Sequence, residues 1–186
     1  MTLSKNNKKI WKICVTAVIL ILVVIFAGVW YFCKPVTHQI VDEYSQHYIG
    51  RFLMPDVGID VGLYEFERVT QEDDDKMNNA MDEEDVAVEF WGSCKGSWFI
   101  ADHNYQEFKT LRKCEVGDIA YINQNDGTQQ QYQVVKKFKG ENSETELTQN
   151  GRLIAGDNPG GIIVYTCASR WNTVDVWIVF LQPVND

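Results

Sequence analysis

Short apolar runs and polar breaks alternate along most of the chain after position 52. The runs are rich in Val, Ile, Tyr, Phe and Trp and are separated by Gly, Asn and Asp, a pattern typical of β-strands joined by turns. The predicted strands are residues 57–63, 87–91, 97–101, 119–123, 132–138, 161–167 and 174–181. About seven strands with one or two short helices predict a closed or nearly closed β-barrel.

Helical spacing occurs in two stretches. In residues 38–52 and again in residues 104–113, apolar side chains recur three or four positions apart. This spacing predicts a short lead-in helix and one or two further helical turns. The acidic run 71–85 contains almost nothing apolar, and we expect it to be an exposed loop.

Near the start of the chain, residues 13–33 form an uncharged run of 21 residues. A helix of this length spans the roughly 30 Å of a bilayer's hydrocarbon core. Four lysines and no acidic residue precede the run, which places the N-terminus in the cytoplasm. A cleaved signal peptide is the alternative, but the run ends in aromatic residues without a small-x-small cleavage site. The sequence therefore predicts a cytoplasmic tail (1–12), a transmembrane helix (13–33), a spacer (34–49) and an extracellular domain (50–186).

The charge distribution narrows the possible partners. All 26 acidic residues but only 12 of the 17 basic residues follow Lys34, so the predicted outer part has a formal charge of −14. Nucleic acid is excluded as a partner because phosphate binding needs a basic surface. An acidic surface attracts amine substrates, but a solvated surface that keeps the domain soluble is the favoured interpretation.

One cysteine and one histidine are candidates for nucleophilic chemistry. Cys167 follows Thr166 at the end of a predicted strand, and His103 follows another strand 64 positions earlier. A cysteine transfers acyl groups only as a thiolate with a proton partner in reach, so the pair indicates a cysteine transpeptidase. Simple packing is the alternative for Cys167, since free cysteines are often buried. Asp102 either orients His103 or caps the turn that follows; capping is favoured because adjacent residues of an extended chain point to opposite sides.

Other potential ligands and thiols are interpreted more simply. Cys94 and Cys114 flank the segment that bears His103, and they form either a disulfide or two buried thiols. The carboxylates of residues 73–85 lack the glycine and the ligand spacing of an EF-hand, so we interpret them as a solvated charge run. No metal and no cofactor is predicted.

Residues 52–59, 99–122 and 163–167 resemble, in this order along the chain, three segments of the sortases, the cysteine transpeptidases of Gram-positive cell surfaces. Residues 163–167 (Ile-Val-Tyr-Thr-Cys) resemble the family signature Thr-Leu-x-Thr-Cys. Residues 99–122 are similar to the family's strand, His-Asn turn, short helix and Gly-Asp strand opening. Residues 52–59, where a proline precedes an apolar-Gly-apolar step, resemble its first strand. The resemblance covers residues 50–182.

The resemblance implies a sortase-like closed eight-stranded β-barrel with one or two short helices. It also implies two-step acyl transfer: Cys167 attacks the C-terminal sorting signal of a secreted protein, and His103 protonates the departing amine. An amine acceptor, either a peptidoglycan cross-bridge or a pilin lysine, then resolves the thioester. Thr166, Asn104 and Trp171 are the predicted substrate-binding residues, with a barrel-mouth aromatic as the alternative for Trp171.

The sequence departs from the family at one position that matters. Sortases carry an arginine on the strand after the cysteine, where it donates hydrogen bonds to the oxyanion, but residues 174–181 contain no basic residue. Arg170 is predicted to fill this role from the loop, with a solvent-facing loop residue as the alternative. Without Arg170, the donors must be Asn172, Thr173 or backbone amides. The departure leaves a second function open, that of a catalytically weak or inactive barrel that acts as an extracellular peptide-binding module.

Overall fold

The computed structural model describes residues 40–67, 70–91, 97–143 and 146–184. The predicted cytoplasmic tail and transmembrane helix lie outside these residues, as do residues 34–39 of the predicted spacer. Within the described part, no helix combines the length and the apolar character needed to cross a bilayer. The membrane segment at residues 13–33 therefore stays a prediction.

The alternating segments form ten strands in the described residues. These are β1 (Tyr48–Met54), β2 (Ile59–Phe66), β3 (Val86–Trp91), β4 (Trp98–Ala101), β5 (Ile119–Gln124), β6 (Gln129–Ser143), β7 (Glu146–Gln149), β8 (Arg152–Leu153), β9 (Ile162–Ser169) and β10 (Asn172–Pro183). Eight of them close into a barrel in the order β1-β2-β3-β4-β9-β10-β6-β5, because β6 pairs with β10 and β5 pairs with β1. The pairs β2–β3 and β4–β9 are parallel, and the other barrel pairs are antiparallel. The predicted closed eight-stranded barrel is confirmed.

The helical predictions had mixed outcomes. The lead-in helix predicted for residues 38–52 is shorter, a 3-10 helix at Asp42–His47, because the chain from Tyr48 onward becomes β1 and pairs on both sides. The second prediction is confirmed as a 3-10 helix at Glu107–Lys113 that buries Phe108 and Leu111. Two further 3-10 turns lie at Pro55–Val57 and Ala155–Asp157.

The prediction of an exposed loop for the acidic run is wrong, because Gln71–Met81 forms an α-helix, α1. Its start is fixed by a capping box: the Thr70 hydroxyl accepts from the Asp73 N–H at 3.2 Å, and the Asp73 carboxylate accepts from the Thr70 N–H at 2.9 Å. Acidic side chains in the first turn also interact favourably with the helix dipole. The face of α1 that packs on the barrel consists of Met77, Ala80 and Met81.

The connection from α1 to β3 is held against the barrel by Arg51 of β1. Its guanidinium donates to Asp60 at 2.7 Å and to both carboxylate oxygens of Asp85 at 3.0 and 3.1 Å. Asp85 also accepts from the backbone N–H of Gly62 at 3.1 Å. Since Asp85 directly precedes β3, these bonds fix the place where the chain leaves α1 and enters the barrel.

Side-chain alternation in the strands produces two buried clusters. The inner cluster contains residues from all eight barrel strands together with the 3-10 helix Glu107–Lys113. The outer cluster combines α1 with the outward faces of β2, β3, β4, β9 and β10, and it also includes Leu147 of β7 and Ile154. In β4, Ile100 belongs to the inner cluster, whereas Phe99 and Ala101 belong to the outer one. A side chain at position 103 or 167 that continues this alternation therefore lies on the outer face, on the side of α1.

Candidate active site

Parallel pairing between β4 and β9 brings the two predicted catalytic residues together. The register aligns Ala101 with Tyr165, and beyond it the Thr166 hydroxyl donates to the backbone carbonyl of Asp102 at 2.7 Å. His103 lies two residues after the end of β4, and Cys167 lies in β9, two residues after Tyr165. Both line a single cavity of about 500 Å³.

The cavity lies between α1 and the barrel. From α1 it receives Asp74, Met77, Asn78 and Met81, and from β6 it receives Asn142. No lysine or arginine is among the described residues that line it. The charge in the cavity thus comes mainly from Asp74 and, when it is protonated, from the histidine.

His103 is half-buried and has neighbours on two sides. Its Nε2 lies 3.3 Å from Oδ1 of Asp82, just beyond the end of α1, and its ring stacks on Tyr105 with 4.8 Å between ring centres. Burial lowers the pKa of His103, and the Asp82 carboxylate opposes this shift.

Cys167 is half-buried and carries a free thiol. Burial raises the pKa of this thiol, because the thiolate loses hydration. Together with the lowered pKa of His103, this shift favours a neutral thiol beside a neutral imidazole near neutral pH. The reactive thiolate–imidazolium pair is therefore the minority form.

The carboxylate of Asp102 is engaged with the backbone. It accepts from the His103 N–H at 2.6 Å and from the Phe108 N–H at 3.1 Å. Burial raises the pKa of Asp102 to about 8, and the backbone hydrogen bonds act in the opposite direction. The favoured interpretation that Asp102 caps the turn after His103 is confirmed.

Arg170 and Trp171 form the turn between β9 and β10. The guanidinium carbon of Arg170 lies 4.9 Å from the ring centre of Tyr105 and 5.7 Å from that of Trp171. Trp171 is 89% exposed. Arg170, Trp171 and Asn104 are not among the described residues that line the cavity. Arg170 nevertheless contacts the aromatic ring on which His103 stacks.

The β10 strand provides no cation beside the cysteine. Val176 is the register partner of Cys167, and Asn172–Pro183 contains no basic residue. Thr173 of β10 and Asn142 of β6 line the cavity and carry hydrogen-bond donors. Thr173 was one of the alternatives foreseen from the sequence, whereas Asn142 was not.

Several residues around the site are not predicted from the sequence. The cavity-lining residues of α1 were missed because the acidic run was interpreted as a loop. The capping pair Thr70 and Asp73 and the spacing of Met77 and Met81 are the signals that indicate this helix. The contact between Asp82 and His103 joins two elements and has no sequence signal of its own.

Two predictions remain, on the thiols of Cys94 and Cys114 and on metal binding. Cys114 is a fully buried free thiol, and burial raises its pKa to about 11. Cys94 lies outside the described residues, so the state of its own thiol stays a prediction. In the described ranges, no group of three or more His, Cys, Asp or Glu side chains is arranged to hold a metal ion.

Comparison with solved structures identifies the fold. The chain is similar to sortase E1 from Streptomyces coelicolor, solved with a tripeptide in its active site, with a TM-score of 0.53, 13% identity, and coverage of 75% of this chain and 89% of that one. It is also similar to Streptococcus agalactiae sortase C1 in complex with MTSET, with a TM-score of 0.52, 15% identity and coverage of 76% and 71%. For a Clostridium perfringens sortase D5 transpeptidase the values are 0.50, 22%, 74% and 79%.

At the level of sequence, no family model matches the chain, and no curated protein does either. The structural likeness nevertheless extends over three quarters of the chain in each comparison. The protein therefore has the sortase fold, as the sequence resemblance implied.

Proposed function

We propose that the protein is a membrane-anchored cysteine transpeptidase of the sortase type. One observation carries the proposal: Cys167 and His103, 64 positions apart in the chain, line one cavity just beyond the paired stretches of β4 and β9. A nucleophile and a proton-transfer group that share a cavity are the minimum that acyl transfer requires.

In the first step, the Sγ thiolate of Cys167 bonds to the carbonyl carbon of a sorting-signal peptide bond. The carbon–nitrogen bond breaks, and the His103 imidazolium gives its proton to the departing amine. In the second step, an acceptor amine attacks the thioester carbon and releases the Cys167 thiolate. His103 accepts the proton of the incoming amine, and the site returns to its starting state.

Arg170 is the oxyanion donor in this proposal. It is the first arginine after Cys167 in the chain, and it contacts the Tyr105 ring on which His103 stacks. A guanidinium that reaches the reacting carbonyl stabilises the negative charge that develops on its oxygen. Thr166, Asn104 and Trp171 are the substrate-binding residues of the proposal.

The substrates of the proposed reaction are a secreted protein with a C-terminal sorting signal and an amine acceptor. The acceptor is a peptidoglycan cross-bridge or a pilin lysine of a Gram-positive cell wall. Residues 13–33 span the membrane with the N-terminus in the cytoplasm, so that the catalytic domain is extracellular. The carboxylates of the cavity are compatible with an amine as the second substrate.

Covalent labelling of the proposed nucleophile tests the function. The full-length protein is incubated with a thiol-reactive sorting-peptide analogue, and the modified residue is mapped by mass spectrometry. We expect one adduct, at Cys167, which Cys167→Ala removes and His103→Ala strongly reduces. Absence of an adduct at Cys167 with every peptide of a sorting-signal panel would contradict the proposal.

The pH dependence provides a second test. Because burial raises the pKa of Cys167, its alkylation by iodoacetamide accelerates as the pH rises, with a midpoint above the ordinary thiol value of 9.0. Proton transfer from the Cys167 thiol to His103 adds a smaller fraction of reactive thiolate at lower pH. We expect His103→Ala to remove this low-pH fraction and to leave the high-pH limb in place.

A second function is favoured by the absence of a strand arginine. With no basic residue on β10, the barrel would bind an extracellular peptide in the cavity without turning it over. This peptide-binding module predicts peptide binding that His103→Ala and Cys167→Ala leave unchanged, with no thioester. Mass spectrometry of the thioester formed with unmodified sorting peptides separates the two functions.

A further inference from the structure

Asp82 is an acidic residue that the proposed reaction does not yet use. It follows α1 directly, and its Oδ1 lies 3.3 Å from Nε2 of His103. The two residues belong to different elements, since His103 follows β4. The contact therefore depends on how α1 packs on the barrel.

The turn after His103 holds Asp82 at two further points. The Tyr105 hydroxyl donates to the same Oδ1 at 3.1 Å, and the Gln106 side-chain amide donates to the backbone carbonyl of Asp82 at 3.0 Å. The Tyr105 ring also stacks on His103, with 12° between the ring planes. Three polar contacts and one ring stack thus join Asp82, His103, Tyr105 and Gln106.

We propose that Asp82 is a positioning residue for His103. Its carboxylate accepts the hydrogen bond of Nε2–H, which leaves Nδ1 as the nitrogen that exchanges a proton with Cys167. The inference rests on the proposed function for its catalytic consequence, but the contact itself is tested separately.

The chemistry of imidazole explains the effect. In neutral histidine one ring nitrogen carries the proton and the other accepts, and the hydrogen bond at one nitrogen selects the tautomer. A carboxylate at Nε2 also stabilises the imidazolium that forms when the ring accepts the thiol proton. Asp82 therefore favours the minority thiolate–imidazolium pair on which the reaction depends.

Other charged and titratable groups near the ring are accounted for. Asp102 directs its carboxylate to backbone N–H groups, and Asp74 lines the cavity from α1. Arg170 stacks on Tyr105, and Cys167 is the proposed nucleophile. Among the described residues, Asp82 is the acidic residue that pairs with His103, with a nitrogen–oxygen distance within 4.0 Å.

The Asp82 side chain is 66% exposed, which limits the size of the effect. Exposed charge pairs are screened by solvent and salt, so their contributions are small. For Asp82→Ala we expect alkylation of Cys167 by iodoacetamide near neutral pH to slow by up to about fivefold. The effect shrinks as the salt concentration rises.

The experiment uses the full chain and needs no peptide substrate. Histidine NMR follows the titration of His103 in the wild type, Asp82→Asn, Asp82→Glu and Asp82→Ala. The His103 signal is assigned as the one that is lost in His103→Gln. Mapping of the iodoacetamide adduct at Cys167 gives the pH profile of the same variants. Glu84→Gln is the matched control, because it removes one exposed charge from the same connection.

We expect the His103 midpoint to move to lower pH in Asp82→Asn and Asp82→Ala, and Asp82→Glu to restore part of the shift. The low-pH reactive fraction of Cys167 should fall in parallel, while Glu84→Gln behaves as the wild type. Tyr105→Phe, which keeps the ring but loses the hydroxyl bond to Asp82, should give a smaller change in the same direction.

The inference is overturned if the His103 midpoint and the Cys167 profile are the same in the wild type and Asp82→Asn. Asp82→Asn serves this purpose because it keeps the shape of the side chain and so preserves the fold. Failure of the proposed function gives a different result: no thioester with sorting peptides, although His103 still responds to Asp82.

Discussion

The inside of the barrel and the layer under α1 share strands but differ in the kinds of side chain that they contain. The inner cluster is filled almost entirely by apolar side chains from all eight strands. The outer layer mixes buried methionines and aromatic rings with Asp74, Asn78, His103 and Cys167 around an open cavity. In β2, β3, β4, β9 and β10, alternation sends some side chains to the inner cluster and their neighbours to the outer layer.

We therefore expect the barrel interior to determine the stability of the fold, and the outer layer to determine the chemistry of the site. A closed barrel has no free edge, and its interior residues pack on every side. The outer layer depends on one helix that buries three of its eleven residues. The reactive groups are thus placed where a short helix, rather than the barrel interior, sets their surroundings.

The largest effect on stability is expected inside the barrel. Leu63 of β2 is fully buried, and Leu63→Ala should lower the free energy of unfolding by about 2–5 kcal/mol, since it removes packing and leaves a cavity. Urea unfolding measures the loss. The reactivity of Cys167 per folded molecule should not change, because Leu63 is not among the described residues that line the site.

Leu153→Ala is the matched control for this substitution. Leu153 lies in β8, outside the barrel, and is 46% exposed. We expect a change within about 0.5 kcal/mol. Equal losses for the two leucines would show that the inner cluster does not dominate stability.

The sequence predicted the barrel well because strand alternation is local and repeated. Each of the seven predicted strands corresponds to an observed one, and the pairing of β4 with β9 explains why His103 and Cys167 line the same cavity. β1 was partly missed because Tyr44 and Tyr48 also fit a helical spacing. The short pair β7 and β8 buries too little to leave an alternating pattern.

The next effect concerns activity in the outer layer. Arg170→Ala should lower kcat/KM by about 10²-fold if Arg170 supplies the oxyanion donor, as proposed. Steady-state transfer from a sorting peptide to an amine measures it. Arg152→Ala, which removes an arginine paired with Asp157, is the control and should leave turnover unchanged. Near-normal turnover in Arg170→Ala would move the oxyanion role to Thr173 or Asn142.

The surroundings of the site could be predicted only in part. Cys167 and His103 could be identified because one ends a predicted strand and the other follows one, but the helix above them was not predicted. In α1 the apolar positions are few, and its start depends on the side chains of Thr70 and Asp73. Contacts such as Asp82 with His103, or Arg51 with Asp85, join distant positions by packing, which no local pattern encodes.

A smaller loss of stability is expected from the face of α1. Met77 is buried and also lines the cavity, so Met77→Ala should cost about 2 kcal/mol, near the low end for such truncations. It should also speed the alkylation of Cys167, because less side chain covers the thiol. Asn79→Ala, on the exposed side of the helix, is the control. A rate unchanged by Met77→Ala would mean that α1 does not limit access to the thiol.

The smallest effect tests whether α1 is an independent part of the outer layer. Thr70→Ala removes the hydroxyl that caps the helix and should cost about 1 kcal/mol, whereas Thr70→Ser keeps the cap and should resemble the wild type. Hydrogen exchange locates the loss: we expect faster exchange in Gln71–Met81 and no change in the inner strands. If exchange in the strands rises equally, the helix and the barrel unfold as one unit. The separation of stability from chemistry would then not hold, because any change in the layer that carries Cys167 and His103 would also loosen the barrel interior.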